Sequence, residues 1–196
     1  MAVLHFVTVT HKAVSRISLG VEMSGSDFTF VLGGAASGKS AYAEMAAHAH
    51  GGARVYMATA QAFDDEMHAK IRTHTDRRGA GWHTIEAPLD AAKRLGVLQP
   101  GQVCLLDCAT MWLTNHLLAE SNLRAEQSAL LLALEQCAAD VIVVSNEVGQ
   151  GIVPENRLAR QFREAQGRLN ILLAQQADTV VHVVAGLPNI LKGRAS

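Results

Sequence analysis

The chain has 196 residues, of which 49% are hydrophobic and 18% are charged, and this composition predicts a folded domain with a sizeable core rather than a disordered chain. Its 17 basic and 18 acidic residues leave a formal net charge of -1, which gives no electrostatic basis for binding a long nucleic acid. No stretch is long and apolar enough to predict a membrane span, and no basic region precedes the first apolar run as in a secretion signal, so we expect a cytoplasmic protein.

Residues 1–27 form an N-terminal extension that differs in character from the rest of the chain. Apolar and polar residues alternate in part of this segment, which allows a β-hairpin, and the segment carries no catalytic motif. The remaining residues, 28–196, are predicted to form a single P-loop nucleotide-binding catalytic domain.

The most informative motif follows a short apolar and aromatic run at residues 28–32, which is predicted to be a strand. It is the phosphate-binding P-loop pattern with every fixed position occupied, and a predicted helix at 40–50 follows it. Glycines allow the backbone to turn tightly beside a polyphosphate, and the loop amides bind phosphate oxygens. Lys39 is predicted to reach the outer phosphates, and Ser40 is predicted to bind Mg²⁺ through its hydroxyl. The predicted nucleotide-binding residues of the loop are Gly33, Gly34, Ala35, Ala36, Ser37, Gly38, Lys39 and Ser40.

Strand and helix patterns then alternate along the chain. Further strands are predicted at 54–59, 102–107, 140–145 and 178–184, and the last three are nearly continuous apolar runs, as in parallel strands covered on both faces. Further helices are predicted at 64–75, 89–96, 124–139 and 156–177. This alternation predicts an α/β fold with a largely parallel sheet, and we expect ligands at the carboxyl ends of its strands.

Asp107 ends the apolar strand predicted at 102–107, which matches the Walker B pattern of a carboxylate that binds Mg²⁺ directly or through water. Many strands end in aspartate because it is a common turn residue. The P-loop earlier in the chain nevertheless favours the metal-binding interpretation.

Two polar segments also follow predicted strands. In residues 64–88, His74 lies close to Arg77 and Arg78, and an imidazole beside cationic groups suits a phosphoryl carrier. The same segment fits an ordinary solvated helix, which composition alone favours. In residues 145–157 a glycine-rich loop leads into a helix whose arginines fit either phosphate binding or a solvated face, namely Arg157, Arg160, Arg163 and Arg168.

Taken together, the ordered motifs are distinctive. Besides the P-loop they are Tyr56-Met57-Ala58-Thr59-Ala60, Asp65-Glu66-Met67, Ile71-Arg72-Thr73-His74, Trp82-His83-Thr84-Ile85-Glu86, the run 145–154, Asn156-Arg157-Leu158-Ala159-Arg160 and Gly167-Arg168-Leu169-Asn170. The set closely resembles the bifunctional adenosylcobinamide kinase / adenosylcobinamide-phosphate guanylyltransferase family of coenzyme B12 biosynthesis. The resemblance extends from about the P-loop strand to near Gly186, and its most specific part is the segment 146–157.

The resemblance implies a RecA-like P-loop NTPase fold and two reactions. ATP or GTP phosphorylates a hydroxyl of adenosylcobinamide, and GTP then transfers GMP to that phosphate through a histidine carrier, with release of pyrophosphate. His74 matches the carrier, Lys39 and Asp107 are the other catalytic residues, and Mg²⁺ is expected at Ser40 and Asp107. The resemblance also implies a homotrimer that binds the corrinoid near subunit boundaries. Beyond the P-loop, it places guanine nucleotide contacts at Ala58, Thr59, Ala60, Thr75, Asp76, Arg77, Arg78, Glu86 and Asp107.

Three features depart from the family pattern. Thr73 precedes His74 where some relatives have two adjacent histidines, so His68 and His83 stay open as alternative carriers. Ala36 occupies a variable P-loop position where arginine is common, and the N-terminal extension is atypical. Two other functions remain in view: a kinase-only enzyme that lacks the guanylyl carrier, and a nucleotide-binding switch without catalytic activity.

Overall fold

The computed structural model describes residues 26–61 and 78–193. The predicted helix at 64–75 and almost all of the predicted extension therefore lie outside the described residues. Within the described ranges the helices are α1 (Lys39–Ala49), α2 (Ala91–Leu95), α3 (Ala109–Leu118), α4 (Leu123–Gln136) and α5 (Arg157–Gln176). The strands are β1 (Phe28–Gly33), β2 (Ala53–Ala58), β3 (Trp82–Glu86), β4 (Gln102–Asp107), β5 (Asp140–Asn146), β6 (Thr179–Val184) and β7 (Leu187–Lys192).

The strands form one sheet in the order β3-β2-β4-β5-β1-β6-β7. Neighbouring strands are parallel except for β6 and β7, which pair antiparallel. The register sets Ala58 beside both Glu86 and Asp107, and it sets Gly33 beside Asn146. The carboxyl ends of β1 to β5 thus meet at one edge of the sheet, which we call the site edge. This architecture confirms the predicted α/β fold class, a mostly parallel sheet flanked by helices with the P-loop between β1 and α1.

Helices cover both faces of the sheet because alternate strand residues point to opposite faces and both sets are apolar. On one face, Ala43 and Ala47 of α1 pack in a buried cluster with Val31, Leu105 and Val144. On the other face, the cluster combines inward strand residues with side chains of α2 to α5, among them Leu95, Trp112, Leu130, Leu169 and Leu173. No helix among the described residues is both long and apolar enough to cross a membrane.

Three elements were not predicted from the sequence. Strand β3 is largely accessible at the edge of the sheet, and β7 is exposed throughout and contains Pro188, so neither presents an apolar run. Helix α3 begins two residues after β4 ends and is buried on several sides, which removes the amphipathic period by which helices are recognised. The other predicted strands and helices of the described ranges are confirmed, with ends that differ by at most three residues.

Gly167 offers a test of the packing around α5. It is exposed within the helix, and a β-carbon added there would meet no atom within 4 Å. Alanine restricts the unfolded chain more than glycine does, so Gly167→Ala should raise the free energy of unfolding by about 1 kcal/mol in urea denaturation. The control Leu169→Ala, at a fully buried position, should lower it by about 2–5 kcal/mol. A less stable Gly167→Ala variant would show that this face of α5 is not open.

Candidate active site

The P-loop connects β1 to α1 and is closed by its own backbone. Ser37 N donates to the Gly34 carbonyl at 3.3 Å, and Tyr42 N donates to the Gly38 carbonyl at 3.0 Å. Gly38 has a φ of 94°, a left-handed conformation that glycine adopts without steric cost. A β-carbon at Gly38 would lie 3.0 Å from the Cα of Gly186, whose N–H donates to the Ser37 carbonyl at 2.8 Å. The turn between β6 and β7 therefore supports the loop from outside.

Lys39 is the first residue of α1 and has only 9% of its surface exposed. Its Nζ donates to the Gly34 carbonyl at 3.0 Å. Burial lowers the pKa of this ammonium, and the neighbouring acidic groups of Cys108 and Asp107 act in the opposite direction. A charge with few water molecules around it interacts more strongly with an anion than an exposed charge does. The position of Lys39 thus suits the phosphate-binding role predicted for it.

Asp107 ends β4 at the site edge and belongs to a compact polar cluster. The Tyr56 hydroxyl donates to Asp107 Oδ2 at 3.0 Å. The guanidinium of Arg78 lies over the Tyr56 ring, 3.3 Å from its centroid, and is itself buried. The structure therefore places the predicted site residue Asp107 near Lys39 and connects it to Arg78 through Tyr56, which was not among the predicted site residues.

Thr59 is fully buried just beyond the end of β2. Its hydroxyl donates to the Cys108 carbonyl at 2.8 Å and accepts from Cys108 N at 2.7 Å. Asn115 Nδ2 donates to the carbonyls of Thr59 and Pro88, at 2.8 and 2.9 Å. These bonds hold the ends of β2, β3 and β4 together beneath the site edge. Both hydrogen bonds of the Thr59 hydroxyl therefore go to the backbone of Cys108, the residue that follows β4.

Three other predicted nucleotide contacts are accessible at the site edge. Ala58 and Ala60 are half-buried on either side of Thr59, and Glu86 is exposed at the end of β3. The remaining predicted contacts, Thr75, Asp76 and Arg77, lie outside the described residues, as does the predicted carrier His74. Their roles stay predictions.

A second polar network, which the sequence analysis missed, fixes the end of β5. Ser145 Oγ donates to Asn170 Oδ1 at 2.7 Å and accepts from Gln166 Nε2 at 2.9 Å. Asn146 completes the network, because its carbonyl accepts from Asn170 Nδ2 at 3.2 Å and its N–H donates to Thr110 Oγ1 at 2.8 Å. The available signal was a pair of amide side chains four residues apart on the buried face of α5. Buried amides need partners, and here they set the position of the strand beside β1.

Two arginines of α5 shape the glycine-rich loop between β5 and α5. Arg163 Nη1 donates to the Ile152 carbonyl at 3.0 Å, and its Nη2 donates to the Gly149 carbonyl. Arg160 Nη1 donates to the Pro154 carbonyl at 2.9 Å. In the sequence, the spacing of these arginines allowed either phosphate binding or a solvated helix face. In the structure these two guanidinium groups bind the backbone of the loop.

The donors at the site edge fit a magnesium ion that arrives with a nucleotide. Ser40 and Asp107 supply a hydroxyl and a carboxylate, the oxygen donors that Mg²⁺ prefers. Across residues 26–61 and 78–193, no group of three or more His, Cys, Asp or Glu side chains could hold a metal ion. Mg²⁺ usually takes one or two carboxylates from a protein and completes its shell with phosphates and water, and Asp107 supplies one such carboxylate.

Comparison with known proteins identifies relatives that match most of the chain. The model of the cobinamide kinase / cobinamide phosphate guanyltransferase family matches residues 29–191. The bifunctional adenosylcobalamin biosynthesis protein CobP of Pseudomonas aeruginosa is 45% identical over 166 residues, which cover 83% of this chain and 96% of that protein. The bifunctional adenosylcobalamin biosynthesis protein CobU of Salmonella typhimurium is 43% identical over 174 residues, which cover 80% of this chain and 95% of that protein.

Solved structures show more distant similarity. A protein from Pyrococcus horikoshii OT3 superposes with a TM-score of 0.50 at 9% identity, covering 87% of this chain and 88% of the other. The RadB recombinase superposes with a TM-score of 0.46 at 19% identity, covering 80% of this chain and 73% of the other. At such low identity the first of these similarities concerns the fold alone.

Replacing Gly33 by alanine should distort the P-loop. A β-carbon there would lie 2.7 Å from the Val183 carbonyl oxygen and would also press against the Ser37 side chain. We expect the free energy of unfolding to fall by about 1–3 kcal/mol and the affinity for GTP to fall about tenfold, a loss of roughly 1.4 kcal/mol. Urea denaturation and titration with fluorescent GTP measure the two effects.

Gly34→Ala is the matched control for stability. A β-carbon at position 34 would meet no atom within 4 Å, so its free energy of unfolding should stay within about 0.5 kcal/mol of the wild-type value. Equal stability of the Gly33→Ala and Gly34→Ala variants would contradict the close contact described for Gly33.

Proposed function

The chain belongs to the cobinamide kinase / cobinamide phosphate guanyltransferase family, and we propose that it assembles the nucleotide end of the cobalamin precursor in two steps. It is an enzyme of the bifunctional kinase and guanylyltransferase class. The proposed first step is phosphorylation of adenosylcobinamide by ATP or GTP. In the second, GMP passes from GTP to the adenosylcobinamide phosphate, which yields adenosylcobinamide-GDP and pyrophosphate. The proposed location of both reactions is the cytoplasm.

The observation that carries the proposal is the arrangement of the P-loop and Asp107 inside the segment that the family model matches. Lys39 is buried at the start of α1, and Asp107 lies close enough to influence its pKa. A cationic and amide-rich loop beside a carboxylate is the set of groups that phosphoryl transfer needs, because that reaction depends mainly on positioning and charge stabilisation.

In the proposed kinase step, the acceptor hydroxyl attacks the γ-phosphorus of the nucleoside triphosphate and releases its proton to water. The bond from that phosphorus to the β–γ bridging oxygen breaks, and the diphosphate leaves with the bonding electrons. The P-loop amides and Lys39 bind and orient the phosphates, while Ser40 and Asp107 would hold Mg²⁺. When bound, Mg²⁺ neutralises negative charge on the phosphate oxygens.

In the proposed guanylyl step, a ring nitrogen of His74 attacks the α-phosphorus of GTP and pyrophosphate leaves. A phosphate oxygen of adenosylcobinamide phosphate then attacks the same phosphorus, and the phosphorus–nitrogen bond breaks to restore the imidazole. A neutral imidazole is a competent nucleophile near pH 7. We propose that Arg77 and Arg78 stabilise the charge on the transferred group and that the accessible Ala58, Ala60 and Glu86 line the nucleotide site.

Labelling with GTP that carries a radioactive α-phosphate tests the guanylyl step. We expect an acid-labile, alkali-stable label on the wild-type protein, as a phosphorus–nitrogen bond would give. His74→Ala should lose the label but keep kinase activity, whereas Lys39→Ala should lose both because one phosphate site serves both reactions.

His68→Ala and His83→Ala are the matched controls and should keep the label. A label that persists in His74→Ala but disappears in one of these controls would move the carrier to that histidine. If folded wild-type protein with kinase activity takes up no label, the enzyme is a kinase only.

We also propose that the protein assembles as the homotrimer implied by the resemblance. Strand β7 exposes Leu187, Ile190 and Leu191, with 73%, 39% and 58% of their surfaces accessible in the single chain. Apolar surface of this kind is commonly covered by another subunit. Light scattering during size-exclusion chromatography should therefore give three times the mass of one chain, and a monomeric mass would exclude the trimer.

A further inference from the structure

Tyr56 makes two contacts at the site edge with groups from different parts of the chain. Its hydroxyl donates to Asp107 Oδ2 at 3.0 Å, and its ring lies under the guanidinium of Arg78, 3.3 Å from the centroid. The residue is only 7% exposed, so neither contact is a passing encounter of mobile surface groups. Trp82 packs edge-on against the same ring, with centroids 6.2 Å apart at 89°. The ring is therefore fixed on several sides.

The two contacts of Tyr56 both involve charged groups. Its hydroxyl donates to a carboxylate, and a hydrogen bond to a charged acceptor is stronger than one between neutral groups. Its ring lies beneath the cation of Arg78, which the negative face of an aromatic ring attracts.

A carboxylate at the end of a strand has a freely rotating terminal group unless a neighbour fixes it. Here the Tyr56 hydroxyl donates to Oδ2 of Asp107 and so restricts the rotation of the carboxylate. Such outer partners tune metal affinity even though they never touch the ion.

We propose that Tyr56 is a positioning residue for phosphoryl transfer: its hydroxyl orients the Asp107 carboxylate toward the metal–nucleotide complex, and its ring places the Arg78 guanidinium at the same site. The inference rests on the proposed function, because it assigns to Asp107 the metal-binding role described above. The two contacts have different roles. The hydrogen bond to Asp107 affects metal binding, whereas the contact of the ring with Arg78 affects binding of the nucleotide anion.

The hydroxyl is tested by Tyr56→Phe, which removes one oxygen atom and keeps the aromatic face. The measured quantity is the affinity for fluorescent GTP over a series of Mg²⁺ concentrations and in EDTA. We expect the Mg²⁺ concentration that half-saturates the enhancement of binding to rise about tenfold, while the affinity in EDTA stays unchanged. Tyr42→Phe is the matched control, since it removes the same group from the only other tyrosine and should behave as wild type.

The ring is tested by Tyr56→Leu, which removes both the hydroxyl and the face on which Arg78 lies. This variant should show the same change in Mg²⁺ dependence and, in addition, a loss of GTP affinity of about threefold to tenfold in EDTA, which Tyr56→Phe does not share. Thermal denaturation establishes that each variant is folded before it is compared.

A double-mutant cycle decides whether Tyr56 acts through Asp107. In the Asp107→Asn background, adding Tyr56→Phe should cause no further change in Mg²⁺ dependence. Additive effects, or Tyr56→Phe binding that matches wild type at every Mg²⁺ concentration, would overturn the inference. Because GTP binding needs no corrinoid, these outcomes are independent of the kinase assay, whose failure in wild-type protein would count against the proposed function instead.

Discussion

The parallel register of β1, β2, β4 and β5 is the constraint on which the rest of the molecule depends. It carries Gly33, Ala58, Asp107 and Asn146 to the same edge, although these residues are spread over more than half of the chain. Parallel strands require crossover connections, so each strand end at this edge leads into a loop or a helix start. The P-loop and the glycine-rich loop after β5 are two such connections, and their proximity follows from β1 and β5 being neighbours.

This arrangement places many polar groups near a buried sheet edge, and the structure satisfies them in two ways. Beneath the edge, Thr59, Asn115 and Ser145 take backbone or side-chain partners, which order the strand ends. At the edge itself, Lys39 remains a buried ammonium whose lowered pKa shows that its desolvation is only partly offset. The hydrogen bonds of Thr59, Asn115 and Ser145 thus keep the strand ends rigid, while the Lys39 ammonium, whose charge is only partly compensated, attracts an anion.

Features that depend on residues close together in the chain could be predicted from the sequence. The P-loop, the apolar strands and helix α5 depend on neighbours along the chain, and their predicted positions agree with the structure. Strands β3 and β7 could not be found in this way, because they owe their pairing to the strand beside them rather than to an apolar run. Contacts such as that of Tyr56 with Asp107, 51 residues apart, depend on register, which no local pattern reveals. Family resemblance gave candidate residues at the site but not the groups that orient them.

The close approach of Gly38 to Gly186 gives the C-terminal hairpin a part in the nucleotide site although it brings no reactive group. Gly186 lies in the two-residue turn before β7, and a β-carbon added at Gly38 would lie only 3.0 Å from its Cα. The β6–β7 hairpin therefore packs directly against the P-loop. Any rearrangement that displaces β7 from β6, including one driven by assembly with other chains, would therefore be transmitted to the loop that binds phosphate.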